Sequence, residues 1–288
     1  MTKKIKIVRT LRTLRGRVWE WRGTGKTIAY VPTMGALHEG HLSLVRLARK
    51  KADKVIVSIF VNPMQFAPDE DFGSYPRTEK IDIALLQSVG ADMVYIPKPG
   101  SMYDELHSTE IKMGGAAKGL ETDHRPTFFD GVALVVAKLL NRVAPDIAIF
   151  GKKDYQQLAT IKRLVIDLDM PVKIIGGKIA RDAHGLALSS RNAYLDEKAL
   201  ITARRLNEIM LLNARLIAQG RPIETQLRIC TDQLKSVGFS AVDYVSLVDV
   251  QSLDMIESET LSQPARLLIA AHCHGVRLID NCAVKPKV

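Results

Sequence analysis

The sequence predicts an α/β fold: a doubly wound parallel sheet followed by a smaller α+β domain. Three observations carry that expectation. Residues 54–61 form a near-continuous apolar run through Val55, Ile56, Val57, Ile59 and Phe60, as in a parallel strand covered on both faces. Strand-like runs and amphipathic helix patterns alternate up to about residue 178. Beyond it the character changes, with two consecutive helix patterns followed by two strand-like segments. The expected domains are therefore 1–178 and 179–288.

In chain order, residues 27–31 read as a strand that turns through Pro32 and Gly35 into a helix with apolar Leu42, Val45, Leu47 and Ala48. After the strand at 54–61 come a helix at 81–89 and a short strand at 93–96, ended by Pro97. Residues 131–143 are helical, with Val132, Val135, Val136, Leu139 and Leu140 as the apolar stripe. A strand at 147–150, a helix at 154–167 and a strand at 172–175 complete the larger domain. In the smaller one, helices at 199–218 and 223–237 precede strands at 242–248 and 266–271. Gly220 and Pro222 separate the two helices.

Composition narrows the function. The 288 residues are 47% hydrophobic, enough for an ordinary globular core. No apolar run reaches the roughly 18 residues a membrane span needs. The basic start, Met1 to Lys6, lacks the apolar stretch of a signal peptide, so a cytoplasmic protein without membrane partners is expected. Three cysteines have no disulfide-framework spacing. Cys273 lies between His272 and His274, but neighbours in a strand point to opposite faces and do not converge on one ion. The net charge of +10 suits a polyanionic partner such as a nucleotide. Arg9, Arg12 and Arg15 read as one solvated helix face, and the scarcity of interleaved aromatics argues against nucleic acid. Gly23-Thr24-Gly25-Lys26-Thr27 imitates the end of a P-loop, but Glu20 stands where the first glycine belongs and the segment precedes its strand.

Four islands carry the chemistry. The first, residues 34–41, includes Met34, Gly35, His38 and His41; a strand turning into a helix N-terminus there offers backbone N–H groups, a positive dipole end and two imidazoles to phosphate oxygens. Two histidines three apart could also be half of a metal site, although no further ligands follow at a suitable spacing. The second, Asn62-Pro63-Met64-Gln65-Phe66, follows a strand, where parallel sheets bind ligands, so Asn62 and Gln65 are candidates for a small polar substrate. In the third, residues 151–157, Gly151 allows close backbone approach, Lys152 and Lys153 are placed to meet phosphate, Asp154 is placed to cap the next helix, and Gln157 lies one turn in. The fourth, Leu188-Ser189-Ser190-Arg191-Asn192, offers two hydroxyls and a guanidinium as a polyphosphate clamp.

Together with Tyr75-Pro76-Arg77-Thr78, these islands resemble the pantoate–β-alanine ligase family of the His-x-Gly-His (HIGH) nucleotidyltransferases, related to class I aminoacyl-tRNA synthetases. The resemblance covers nearly the whole chain; Asn62 to Phe66 and Lys153 to Gln157 are its most specific parts. It implies a Rossmann-like first domain, a C-terminal domain closing over the site, and a homodimer. It also implies ligation of pantoate and β-alanine through a pantoyl adenylate, with ATP and Mg²⁺, releasing AMP and pyrophosphate. ATP would lie along 34–41, Gly151 to Asp154, Ala180 and Leu188 to Arg191. His41 would be the catalytic donor, with His38 and Lys153 beside it; Gln65 and Gln157 would bind pantoate. Asp82 would be near Mg²⁺, though Ile81 stands where relatives place a further aspartate. Lys152 replaces a usually acidic residue and Phe128 a frequent histidine. A related adenylyltransferase and a nucleic-acid-binding module stay open as alternatives.

Overall fold

The computed structural model describes residues 4–68 and 70–287, so Met1, Thr2 and Lys3 of the basic N-terminus lie outside it. The elements run β1 (Lys6–Val8), α1 (Leu11–Gly23), β2 (Ile28–Thr33), α2 (Glu39–Arg49), β3 (Lys54–Ile59), α3 (Glu79–Ser88), β4 (Met93–Tyr95), α4 (Pro99–Met102), α5 (Glu121–His124) and α6 (Phe128–Val143). They continue with β5 (Ile147–Gly151), α7 (Tyr155–Asp167), β6 (Lys173–Gly177), α8 (Glu197–Ala218), α9 (Ile223–Ser236), β7 (Ala241–Asp249), β8 (Ala265–Cys273) and β9 (Val276–Val284).

Six parallel strands form one sheet in the order β1-β4-β3-β2-β5-β6. Both faces are covered, which explains the apolar runs. Leu14 and Val18 of α1, the stripe of α6 and Leu158, Ile161 and Leu164 of α7 pack on Tyr30, Ile56 and Met93. On the other face, Leu44, Val45 and Ala48 of α2 and Leu86 of α3 meet Ala29, Val31, Val55 and Val57. The chain leaves β2 toward β3 on one side, while β5 pairs with β2 on the other. That reversal is a topological switch point, where a crevice opens beyond the carboxyl ends of the strands. Both the His38–His41 segment, after β2, and the Lys153 segment, after β5, emerge there.

The second sheet is antiparallel, β7-β8-β9, with α8 and α9 packed on one face through Leu206, Met210, Cys230, Leu234, Leu267 and Ile269. Leu268, Val248 and Tyr244 of this sheet meet Ala116, Leu120 and Tyr155 of the first unit, joining the two.

Two strands were not expected from the pattern. β1 is a three-residue edge strand inside a basic segment, too short to show a period. β9 carries Arg277, Asp280 and Asn281, which disguise it as a loop, yet Asp280 and Asn281 are 2% and 1% exposed and hydrogen-bonded. Arg9 precedes α1 rather than lying on its face: still exposed, its guanidinium forks onto Glu79 of α3.

Candidate active site

The turn after β2 is held by a carboxylate from α3. Gly35 and Ala36 both have positive φ, +87° and +49°. Asp82 accepts the Ala36 and Leu37 N–H groups at 3.1 and 2.9 Å and the Thr78 hydroxyl at 3.2 Å. A β-carbon on Gly35 would stand 3.1 Å from Asp82 Oδ2 in a backbone conformation that favours glycine. Asp82 is only 1% exposed and both its oxygens are engaged. The expectation that it meets Mg²⁺ therefore gives way to a structural role: it shapes the turn that presents His38 and His41.

His38 is the N-cap of α2, and its Nδ1 accepts the Gly40 N–H at 3.1 Å; His41 Nδ1 accepts the His38 N–H at 3.3 Å. With Nδ1 an acceptor on both rings, a neutral imidazole must carry its proton on Nε2. The rings lie 4.2 Å apart. Burial, then the Lys153 ammonium, pushes His38 down to about 4. Burial, followed by His38 and Lys153, pushes His41 down to about 3. Both are neutral Nε2–H donors at pH 7. The glycine between them is required by space: a β-carbon on Gly40 would come within 2.7 Å of the His38 ring.

After β3, Asn62 is 1% exposed and fully committed. Its Oδ1 accepts the Met64 N–H at 3.3 Å and the Tyr103 hydroxyl at 2.8 Å, while its Nδ2 donates to Gly131 O at 3.1 Å and Gln65 Oε1 at 3.2 Å. Because a backbone N–H only donates and a carbonyl only accepts, the Asn62 amide has one orientation, and so has Gln65. The Gln65 NH₂ is left as a donor, here 2.9 Å from Met34 Sδ. Asn62 thus orients Gln65. Gly131 makes this packing possible, since a β-carbon there would be 1.9 Å from Met64 O. That close approach explains a glycine inside α6, which begins at Phe128 rather than at 131.

After β5, Lys153 Nζ lies 3.8 Å from Asp154 Oδ1. Asp154 stands at the N-cap of α7 but makes no side-chain capping bond, contrary to expectation. The Lys152 stem lies against Gly176, within 3.0 Å of where a β-carbon would be. From the second unit, Ala180 sits beside Gly40 and its carbonyl accepts Leu188 N–H at 2.9 Å. Ser189 Oγ accepts the Arg191 N–H at 3.3 Å. Arg191 reaches across the cleft and forks onto Asp71 at 2.7 and 3.1 Å, and Ser190 Oγ lies 3.4 Å from the Tyr75 hydroxyl.

A cavity of about 960 Å³ joins these segments. Of the expected residues, Met34, His41, Asn62, Gln65, Lys153, Asp154, Gln157, Ser189 and Arg191 line it. Gly35, His38, Gly151, Lys152, Ala180, Leu188 and Ser190 are outside its lining, several of them close behind it. Sequence reasoning missed a charged group on the same walls. Arg277 Nη1 of β9 donates to both Glu121 oxygens at 2.7 and 2.9 Å, and its Nε donates to Asp243 at 2.6 Å; Arg125 forks onto Glu70 at 2.5 and 2.7 Å and stacks on Phe128. Phe128 thus gives the guanidinium an aromatic face. No local motif announces these residues.

The family model described as Pantoate-beta-alanine ligase matches residues 6–283. The chain belongs to that family. It is 49% identical over 278 residues to the pantothenate synthetase of Mesorhizobium japonicum, covering 96% of this chain and 97% of that one. Against the pantothenate synthetase of Caulobacter vibrioides it is 47% identical over 285 residues, 99% and 100% of the two chains. The crystal structure of pantothenate synthetase from Thermus thermophilus superposes with a TM-score of 0.91 at 38% identity, covering 98% of this chain and 100% of that one. The Francisella tularensis pantoate-beta-alanine ligase, solved in complex with Beta-gamma ATP and Beta-alanine, superposes with a TM-score of 0.80 at 33% identity, covering 96% and 97%. The protein is accordingly an enzyme of the ligase class with the fold of this family. Membership favours the ligase over the adenylyltransferase reading.

Proposed function

We propose that the enzyme joins pantoate to β-alanine in two steps through a pantoyl adenylate. A pantoate carboxylate oxygen attacks the α-phosphorus of ATP, forming a P–O bond as the bond to the bridging oxygen breaks and pyrophosphate leaves. The unprotonated amine of β-alanine then attacks the acyl carbon; the C–O bond breaks, AMP departs with its electron pair, and the proton lost from nitrogen passes to solvent. The observation that carries this reading is neutral His41, with His38 packed behind it, beside Lys153 in one cavity with Gln65 and Gln157.

Each residue's part follows from its chemistry. Charge grows on the α-phosphoryl oxygens during adenylation, and fixed donors aimed there stabilise it without reorganisation. His41, His38 and Lys153 are those donors. Neutral imidazoles admit the polyanion without the cost of a buried cation in the empty site, and the arriving charge then raises both pKa values and strengthens the donors. The Gln65 NH₂, fixed by Asn62, meets a pantoate oxygen, and Gln157 approaches from α7. Met34, Gly35, Gly151, Lys152, Asp154, Ala180 and Leu188 frame the nucleotide through backbone and stem, while Ser189, Ser190 and Arg191 receive the departing pyrophosphate. Arg191 must first leave Asp71.

Among the described residues no group of three His, Cys, Asp or Glu side chains is arranged to hold a metal ion. Mg²⁺ therefore enters this reading as part of the MgATP substrate, held by its phosphates. Residues 1–178 and 179–288 act as two domains closing on the site. No described helix is long and apolar enough to cross a membrane. A cytoplasmic homodimer rests on the family resemblance, and sedimentation would test the dimer. The activity itself is tested by exchange of labelled pyrophosphate into ATP. Exchange that requires pantoate but not β-alanine is expected; exchange that ignores pantoate, or its absence from folded protein that makes pantothenate, would overturn the adenylate.

A further inference from the structure

We infer that Asn281 of β9 is a positioning residue for the phosphate site: it sets Lys153 from the second domain and so ties that donor to domain docking. Asn281 is 1% exposed. Its Nδ2 donates to Lys152 O at 3.0 Å and Lys153 O at 2.7 Å, gripping two consecutive carbonyls of the turn between β5 and α7. Its Oδ1 accepts Arg266 Nε at 2.7 Å, which leaves the amide one orientation.

The grip is itself braced. The Arg266 guanidinium lies 4.0 Å over the ring of Tyr155, the first residue of α7. Asp280 accepts the Asn281 N–H at 2.7 Å and the fork of Arg181 at 2.5 and 2.9 Å. From its own sheet the turn has a backbone bond at Lys152, to Gly177 O at 2.9 Å. The carbonyl of Lys153, from which the side chain's direction is set, is held by Asn281. Lys153 presses on both histidines electrostatically, so its place fixes the relation among the three donors. A donor misplaced by about 1 Å can cost on the order of a hundredfold in rate.

This inference rests on the adenylation reading and is tested on the intact enzyme with Asn281→Asp, which keeps shape but turns an acceptor toward two carbonyls, and Asn281→Leu, which removes the donor without charge. Pantoate-dependent pyrophosphate exchange should fall about 10- to 100-fold in both, chiefly in kcat and in kcat/KM for ATP, with the KM for pantoate within about twofold. In a Lys153→Ala background the same substitutions should cost less than about threefold, because groups acting through one another are not additive. Equal loss in both backgrounds, or a matching rise in the KM for pantoate, would overturn the inference. Wild-type exchange alone judges the adenylation reading. If it fails, ATP affinity by titration carries the same four-way comparison, with weakening by Asn281→Asp expected only where Lys153 is present. Should Asn281→Leu fail to fold, Asn281→Asp decides; should both, Arg266→Met removes the brace and is held to the same non-additivity.

Discussion

The two walls of the cleft are built on different electrostatics. Beside the Lys153 ammonium, the wall from the parallel sheet presents uncharged donors, His38, His41 and Gln65, each oriented by backbone groups or by a single buried amide. The facing wall and the rim are knitted by ion pairs: Arg191 with Asp71, Arg277 with Glu121 and Asp243, and Arg181 with Asp280. Neutral donors fixed by short local bonds keep their geometry when a charged substrate arrives. The Arg191–Asp71 pair, which crosses between the two units and is partly exposed, is separable and contributes little. One wall is suited to stabilise charge, the other to dock and release.

The comparison breaks most visibly at the donors. His41→Ala and Lys153→Ala should each lower pantoate-dependent exchange about 10²- to 10³-fold, the usual loss for one such donor. Melting temperatures should change little, and near-normal turnover in either variant would remove it from the assigned role. Gly131→Ala comes next. Its new methyl collides with Met64 O, so overpacking should cost about 1–3 kcal/mol and raise the KM for pantoate by moving Gln65, while the KM for ATP stays close to wild type. Steady-state kinetics with each substrate varied would show the split.

On the charged wall the effects should invert. Arg277→Met leaves Glu121, 6% exposed, and Asp243 without their shared cation. Loss of one partner from such a group costs about 3 kcal/mol, to be seen as a lower denaturation midpoint, with exchange per folded molecule within about threefold. A further effect is expected in acid. A buried histidine whose folded pKa lies below its unfolded value favours the native state while neutral. As pH falls below the unfolded value of about 6.5, the unfolded chain binds protons that His38 and His41 resist until about 4 and about 3. Stability should therefore decline between pH 6.5 and 4. The decline should shrink in His38→Gln, measured by urea denaturation across that range. An imidazole titration near pH 6 for His41 in the free enzyme would contradict its lowered pKa.

The same contrast explains what could be read from the chain. Strands buried on both faces announce themselves by composition, and polar residues that follow them within a few positions form contiguous motifs, so the segments carrying His38, His41, Gln65 and Lys153 could be picked out as candidates that the fold brings together. Asp82 was noticed for the wrong reason, because nothing local shows that a carboxylate 46 residues on will satisfy the Ala36 N–H. Asn281 and Arg277 were invisible. Their partners lie 128 and 156 residues away, and their polarity hides the strand that carries them. Local hydrogen bonding leaves a trace in spacing; pairing across a domain seam leaves none.

In the proposed adenylation, pantoate's own oxygen becomes bonded to the α-phosphorus. One turnover series with carboxyl-¹⁸O-labelled pantoate, ATP and β-alanine tests it, read by mass spectrometry of the nucleotide. AMP carrying one ¹⁸O, with unlabelled pyrophosphate, is the predicted result. Unlabelled AMP, or ADP with the label in inorganic phosphate, would contradict it.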